Sequence, residues 1–239
     1  MSSTVESGAY SGVIGGDSIA IDSYGKVHIS YFRASDLDLK YATNASGSWS
    51  TSILVNGGAM GSLPAYSASI GVDSDNKIHI SYYDDSSPDS IKYVTNMSGS
   101  WVITTIDTIS FAAGWKTSLA VDSNNKVHIS YYDSTNDALK YASNASGTWQ
   151  TEIVDKSSGG VSGASLAIDK VNGNQVHMVY GSYSGFKYAR KSAGTWQIST
   201  IDESWTGSYN SIAIGSSSIH ISYYDGYNLN LKYATKSLF

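Results

Sequence analysis

Residues 118–142, SLAVDSNNKVHISYYDSTNDALKYA, are one copy of a unit that recurs along the 239-residue chain. Four more copies begin at Ser18 (SIAID), Ser69 (SIGVD), Ser165 (SLAID) and Ser211 (SIAIG). Each runs on into a second stretch, KVHISYF, KIHISYY, QVHMVYG or SIHISYY, and then into LKYA, IKYV or FKYA. Four of the five copies continue through Gly-Ser or Gly-Thr to Trp49, Trp101, Trp149 and Trp196. The starts lie roughly 46 to 51 residues apart, close to the spacing of propeller blades.

Each copy reads as four short strands, because β-branched and tyrosine residues alternate with polar ones between Asn, Asp and Gly turn signals. A two-residue turn at Asn124-Asn125 sets Asp122 opposite Val127, and Tyr24-Gly25 and Asp75-Asn76 occupy the same place. In the fourth copy a turn centred on Asn172-Gly173 sets Asp169 opposite Val176. With no helix-period segment between copies, the expected fold is all-β, a five-bladed β-propeller of four-stranded antiparallel blades. The last copy stops after Leu231-Lys232-Tyr233-Ala234 without a Trp-led fourth strand. Residues 3–7 align with the outer-strand segment at 150–154. They are expected to form the outer strand of the last blade and to close residues 1–239 into a single domain.

Composition narrows the function. Charged residues make up 15% of the chain and the net charge is −5, so there is no basic face for a phosphate backbone and nucleic acid is not an expected partner. With no cysteine, disulfides and thiolate metal sites are excluded. No apolar run reaches membrane-spanning length, so membrane insertion is not expected either. The segment MSSTVESGAY is not an export signal. The expected location is nevertheless secreted or cell-surface, with the signal absent from this sequence, and the expected state is a monomer.

All five histidines, His28, His79, His128, His177 and His220, fall at one repeat position. Five imidazoles spread one per blade are too dispersed for one metal shell and read as structural hydrogen-bonding groups; no metal or cofactor is expected. The repeated lysines, Lys40, Lys92, Lys140, Lys187 and Lys232, ask for repeated carboxylates. Two sets fit, Asp22, Asp73, Asp122 and Asp169 of the first hairpin, or Asp84, Asp133 and Asp225 after the second strand. The Asn-X-Ser triplets at Asn44, Asn96 and Asn144 match a glycosylation acceptor but repeat with a turn, and read most simply as turn residues.

Catalysis finds little support. A glycosidase needs two carboxylates near the channel. Of the three glutamates, Glu6 and Glu152 fall on outer strands and Glu203 just after one, while most aspartates recur once per blade. No nucleophile elbow, phosphate loop or zinc motif is present, so no catalytic residues are expected.

Variation between copies gathers in the blade-to-blade loops and in the loops between second and third strands, at one end of the fold. Candidate ligand-binding residues there are Tyr66, Trp115, Trp205, Tyr209, Asp84, Asp133, Tyr183 and Asp225. Aromatic rings suit the apolar face of a sugar, and carboxylates its hydroxyls. The expected function is a non-catalytic binding module for carbohydrate or another polar ligand. The alternatives are a structural or protein-interaction domain of a surface assembly and, behind it, a glycosidase-like enzyme.

The S-L-A-x-D, H-I-S-Y-Y-D and L-K-Y-A strings resemble repeats of secreted or surface β-propeller proteins of bacteria and archaea. The five-blade count is similar in architecture to tachylectin-type lectins, a resemblance that implies sugar binding.

Overall fold

The computed structural model describes residues 4–6, 16–33, 36–57, 68–109, 116–156, 162–203 and 206–238. They form five antiparallel sheets, four of four strands and one of three, in two compact units, Met1–Lys116 and Thr117–Phe239.

The first unit holds two sheets. Sheet 1 is β1 (Ser18–Ile21), β2 (Val27–Arg33), β3 (Asp38–Thr43) and β4 (Ser50–Val55). Sheet 2 is β5 (Ala68–Val72), β6 (Ile78–Asp84), β7 (Ser90–Thr95) and β8 (Val102–Thr108). The second unit holds three. Sheet 3 is β9 (Ser118–Val121), β10 (Val127–Asp133), β11 (Ala138–Ser143) and β12 (Gln150–Asp155). Sheet 4 is β13 (Ser162–Asp169), β14 (Gln175–Ser182), β15 (Gly185–Ser192) and β16 (Thr195–Asp202). Sheet 5 is β17 (Thr206–Ile214), β18 (Ser218–Asp225) and β19 (Asn230–Ser237). Strands pair in chain order within every sheet, so each copy of the repeat is one up-and-down meander.

The first hairpin differs by one residue from the expected register. Val127 pairs with Val121, not Asp122, and Val176 pairs with Ile168, not Asp169. The cause is the aspartate itself. Oδ1 of Asp122 accepts the backbone N–H of Asn124 and of Lys126, both at 2.8 Å, which draws a three-residue loop around the carboxylate. Asn125 then takes a left-handed φ of 59°, as Asn76 does at 58° and Gly25 at 73°, conformations that Asn and Gly tolerate.

Neighbouring sheets within a unit are joined by the first residue of the repeat. Ser18 Oγ accepts the Ile70 N–H of sheet 2 at 3.1 Å. Ser118 Oγ does the same for Leu166 of sheet 4 at 3.1 Å, and Ser165 Oγ for Ile212 of sheet 5 at 3.3 Å. Around these pins lie the cores. In the first unit Leu39 of sheet 1 packs with Ala68, Ile70, Ile78, Ile80 and Tyr82 of sheet 2. In the second, Val179, Phe186 and Tyr188 of sheet 4 pack with Ile212, Ile219, Ile221 and Tyr223 of sheet 5. Each fully buried aliphatic or aromatic side chain contributes about 1.5–3 kcal/mol.

Of the expected outer strand at residues 3–7, residues 4–6 lie outside any strand and residues 3 and 7 outside the described set. Glu6 nevertheless has a defined place: its carboxylate binds Lys40 Nζ and accepts the Tyr31 hydroxyl at 2.7 Å. Among the described residues no helix is long and apolar enough to cross a membrane.

Candidate functional site

Each repeated histidine bonds to a tyrosine of its own sheet. Nδ1 of His28, His79 and His128 lies 2.5 Å from the hydroxyl of Tyr41, Tyr93 and Tyr141 on the adjacent third strand. Nε2 of the same three rings lies 3.1–3.3 Å from Oδ2 of Asp22, Asp73 and Asp122. A carboxylate can only accept, so Nε2 carries the proton and Nδ1 accepts from the tyrosine. Burial pushes the Tyr93 and Tyr141 hydroxyls up to about 12, which keeps them protonated as donors. His177 departs from the pattern. The longer turn in its sheet lets Asn172 Nδ2 take Asp169 Oδ2 at 2.7 Å, and His177 Nε2 is buried without a partner among the described residues.

The lysines take the second of the two expected carboxylate sets. Lys92 pairs with Asp84, Lys140 with Asp133 at 3.3 Å and Lys232 with Asp225 at 2.7 Å, while the first-hairpin aspartates serve the histidines. A further carboxylate reaches across sheet boundaries. Asp155 at the end of β12 accepts from Tyr180 Oη at 2.7 Å and Lys187 Nζ at 2.9 Å in sheet 4. Asp202 at the end of β16 does so for Tyr223 at 3.1 Å and Lys232 at 2.7 Å in sheet 5. Glu6 stands in this position for sheet 1. For sheet 2 the register puts Val55 there, and the buried Tyr82 hydroxyl has no partner among the described residues.

Lysine takes the place of the turn asparagine in sheets 4 and 5, Lys191 and Lys236, each over a tyrosine ring of the sheet before, and Lys191 also meets a carboxylate. Between sheets 3 and 4, beside the turns that join third to fourth strands, lies a cleft of about 190 Å³ lined by Tyr141, Ser143, Ser146, Gln150, Glu152 and Lys191. Glu152 replaces the Ser52, Thr104 and Ser199 that face the corresponding tyrosines in sheets 1, 2 and 4. Lys191 replaces Asn44, Asn96 and Asn144, whose Oδ1 atoms each accept a backbone N–H of the second strand at 2.8 Å. In sheet 4 the hairpin instead runs on to a tight turn at Ala193-Gly194, both with positive φ, so residue 191 stays in the strand.

Both departures meet in space. Glu152 Oε1 accepts Lys191 Nζ at 2.5 Å and Trp196 Nε1 at 2.9 Å. Lys191 also lies 4.9 Å from the Tyr141 ring centre and 5.7 Å from that of Trp196, and the two rings meet edge to face at 5.4 Å. The carboxylate is therefore oriented by two donors on one oxygen, and Oε2 carries no hydrogen bond among the described residues. A partly exposed acceptor and an ammonium donor sit side by side against the buried Tyr141 ring and the half-buried Trp196 ring. The corresponding boundary between sheets 1 and 2 keeps the ring pair, Tyr41 and Trp101 at 5.1 Å, with Ser52 and Asn96 in place of the charges.

The candidates of the opposite loop end fall into three groups. Tyr183 and Tyr209 are exposed, as is Tyr227. Asp84, Asp133 and Asp225 are buried and shape their own loops. Asp133 accepts from Thr135 N, Asn136 N and Asn136 Nδ2, and Asp225 from Tyr227 N, Asn228 N and Asn228 Nδ2. These bonds and Lys232 bring Asp225 down to about 2. Tyr66, Trp115 and Trp205 lie outside the described residues. Glu152 and Lys191 are not among the sequence candidates; the signal for them is the break of the repeat, QTEIV in place of STSIL and ARKSAGTW in place of ASNASGTW, while Trp196 keeps the repeat position of Trp49, Trp101 and Trp149. Among the described residues no group of three or more His, Cys, Asp or Glu side chains could hold a metal ion.

No protein-family model matches the chain, and no curated protein matches it in sequence. Solved structures share its fold. AofleA of Arthrobotrys oligospora is 13% identical and superposes with a TM-score of 0.67 over 94% of this chain and 71% of its own. The SapL1 lectin in complex with alpha methyl fucoside is 15% identical, with a TM-score of 0.62 over 92% and 78%. An Aleuria aurantia lectin variant in complex with Fucalpha1-6GlcNAc is 12% identical, with a TM-score of 0.60 over 91% and 73%. The chain is thus an all-β, propeller-like protein with the fold of these structures.

Proposed function

We propose that this protein is a non-catalytic carbohydrate-binding module whose five sheets are propeller blades, and that its principal site is the cleft between sheets 3 and 4. The observation that carries the reading is the meeting of Glu152 and Lys191. In a chain built from copies, two positions that leave the repeat and then touch across a sheet boundary are not needed by the frame. The neighbouring boundary holds its ring pair without them.

The chemistry suits a neutral sugar. A hydroxyl both donates and accepts, so a pair of adjacent hydroxyls can give to Glu152 Oε2 and take from Lys191, while Ser143 and Gln150 reach the others. The carboxylate repels an anionic ring, and the cleft volume fits one sugar unit rather than an extended chain. The lectin fold of the structural neighbours supports the class of ligand, and the cleft supplies a place for it.

A glycan array with the labelled protein tests this. Neutral glycans should be bound by the wild type and lost in Glu152→Gln and Lys191→Ala at unchanged melting temperature. Binding that survives both substitutions would remove the cleft from the account. A second reading keeps the loop end as the binding surface, favoured by the exposure of Tyr183, Tyr209 and Tyr227; it predicts that Tyr183→Ala and Tyr227→Ala abolish the binding that the cleft variants retain.

A further inference from the structure

The boundary between sheets 4 and 5, inside the second unit, repeats the frame of the cleft with a different charge. By strand register Tyr188 stands for Tyr141, Arg190 for Ser143, Gln197 for Gln150, Ser199 for Glu152 and Lys236 for Lys191. Lys236 Nζ lies 5.2 Å from the Tyr188 ring centre, as Lys191 Nζ lies 4.9 Å from that of Tyr141. Arg190 follows Tyr188 by two residues on β15 and so shares its face. Its Nη2 donates to Gln197 Oε1 at 3.0 Å, which fixes the plane of the guanidinium.

The carboxylate is what this boundary lacks. Ser199 occupies the place of Glu152, and the ion pairs of the described residues include neither Arg190 nor Lys236. The groups around the two cations do not compensate them. Burial pushes the Tyr188 hydroxyl up to about 12, so it stays neutral and meets His177 Nδ1 at 2.7 Å. His177 is brought down to about 4 by burial, with Arg190 adding to the effect against Asp169. Asp169 turns its oxygens to Val171 N, Asn172 N and Asn172 Nδ2, and Asp202 ends β16 on Tyr223 and Lys232. Nor does the frame require either cation. Thr43, Thr95, Ser143 and Thr235 take the place of Arg190 in the other four sheets, and Asn44, Asn96 and Asn144 that of Lys236 in the first three.

We propose that this boundary is a second ligand site, selective for an oxyanion carried on a sugar, a sulfate ester or a carboxylate. That the carrier is a sugar rests on the function proposed above; that the group is anionic rests on Arg190, Lys236 and the missing carboxylate. The guanidinium, held by Gln197 through one nitrogen, offers its remaining N–H groups to two oxygens of one oxyanion, and the Lys236 ammonium adds a point charge. Gln197 and Ser199 are exposed on the outer strand and serve the hydroxyls of the ring. The two clefts thus differ in preference: Glu152 repels an anion at the boundary of sheets 3 and 4, and Ser199 admits one here.

Titration of isotope-labelled protein with glucose, glucuronate, a sulfated glucose and inorganic sulfate, followed by amide shifts, tests the site. At least one anionic sugar should move the Tyr188, Arg190 and Lys236 amides with an affinity at least tenfold above that of glucose, and the tighter of the two identifies the oxyanion. Lys236→Gln and Arg190→Gln should each weaken that binding about tenfold, and added salt should weaken it in the wild type. Lys236 is exposed, so Lys236→Gln decides if Arg190→Gln fails to fold. The Thr151 and Glu152 amides report the first cleft separately, and Glu152→Gln should leave anion binding unchanged whether or not a neutral sugar binds there. Inorganic sulfate that moves the same amides while no sugar does would keep the anion site and refute the sugar as its carrier. Equal affinity for the three sugars, or anionic binding that survives both substitutions, would overturn the proposal.

Discussion

His177→Gln should flatten the acid side of the stability profile. His177 is buried with an unpartnered Nε2, and burial brings it from 6.5 down to about 4. Protonating it in the native state places a charge where the aspartate that serves its counterparts has turned to Asn172. Above about pH 6.5 both native and unfolded chains hold the ring neutral, and its contribution is complete. Between about pH 6.5 and pH 4 the unfolded chain binds a proton that the native chain does not. Stability then falls by about 1.4 kcal/mol per pH unit, about 3 kcal/mol in all. His79 and His128, also lowered by burial, add a slope that wild type and variant share. The lowered carboxylates Glu6, Asp22, Asp133 and Asp169 begin to lose their contribution only as the pH falls past their unfolded values of 4.5 and 3.8, at the acid end of this window, a loss that wild type and variant share. Urea unfolding of both proteins at steps between about pH 4.5 and pH 6.5 reads the difference directly. Whatever His177→Gln does to absolute stability, its profile should be shallower by about 1.4 kcal/mol per unit. Equal slopes would refute the burial of a ring bonded to Tyr188 through Nδ1 alone.

Three further outcomes follow from the same frame. Tyr82→Phe should be neutral or stabilising in chemical denaturation, because the hydroxyl it removes is a buried orphan, whereas Tyr180→Phe should cost about 1–3 kcal/mol by stripping a donor from Asp155. Leu139→Ala should cost about 2–5 kcal/mol and Leu231→Ala, at the same repeat position but exposed, within about 0.5 kcal/mol, measured at low protein concentration. Asn144→Ala should cost about 1 kcal/mol by leaving the Val127 N–H without its acceptor, and Asn144→Asp should recover part of it.

The frame was legible in the sequence because repetition averages out local ambiguity. The five histidines share one position, and the tyrosine that each of them meets repeats beside them. Turn register was not legible. A carboxylate that wraps the turn amides adds a residue to the loop, and composition cannot distinguish that from an Asn-Asn turn. The same chemistry hid the role of the loop aspartates. Asp133-Ser-Thr-Asn136 and Asp225-Gly-Tyr-Asn228 share their spacing with Asp169-Lys-Val-Asn172, and in all three the asparagine amide closes on the carboxylate, so side chains that read as ligand-facing are buried clamps. The cleft went unseen for the opposite reason. Its departures from the repeat lie in strands and not in loops, and Glu152 and Lys191 are 39 residues apart, joined only by the packing of sheet 4 on sheet 3.

The central claim is tested most directly by isothermal titration calorimetry of a neutral monosaccharide or glycan selected on the array, against the wild type, Glu152→Gln and a Tyr183→Ala/Tyr227→Ala variant. The account predicts one site per chain in the wild type, at least a tenfold loss of affinity in Glu152→Gln, and wild-type affinity in the tyrosine variant. Full affinity in Glu152→Gln, with loss in the tyrosine variant, would contradict the account and move the site to the loop end.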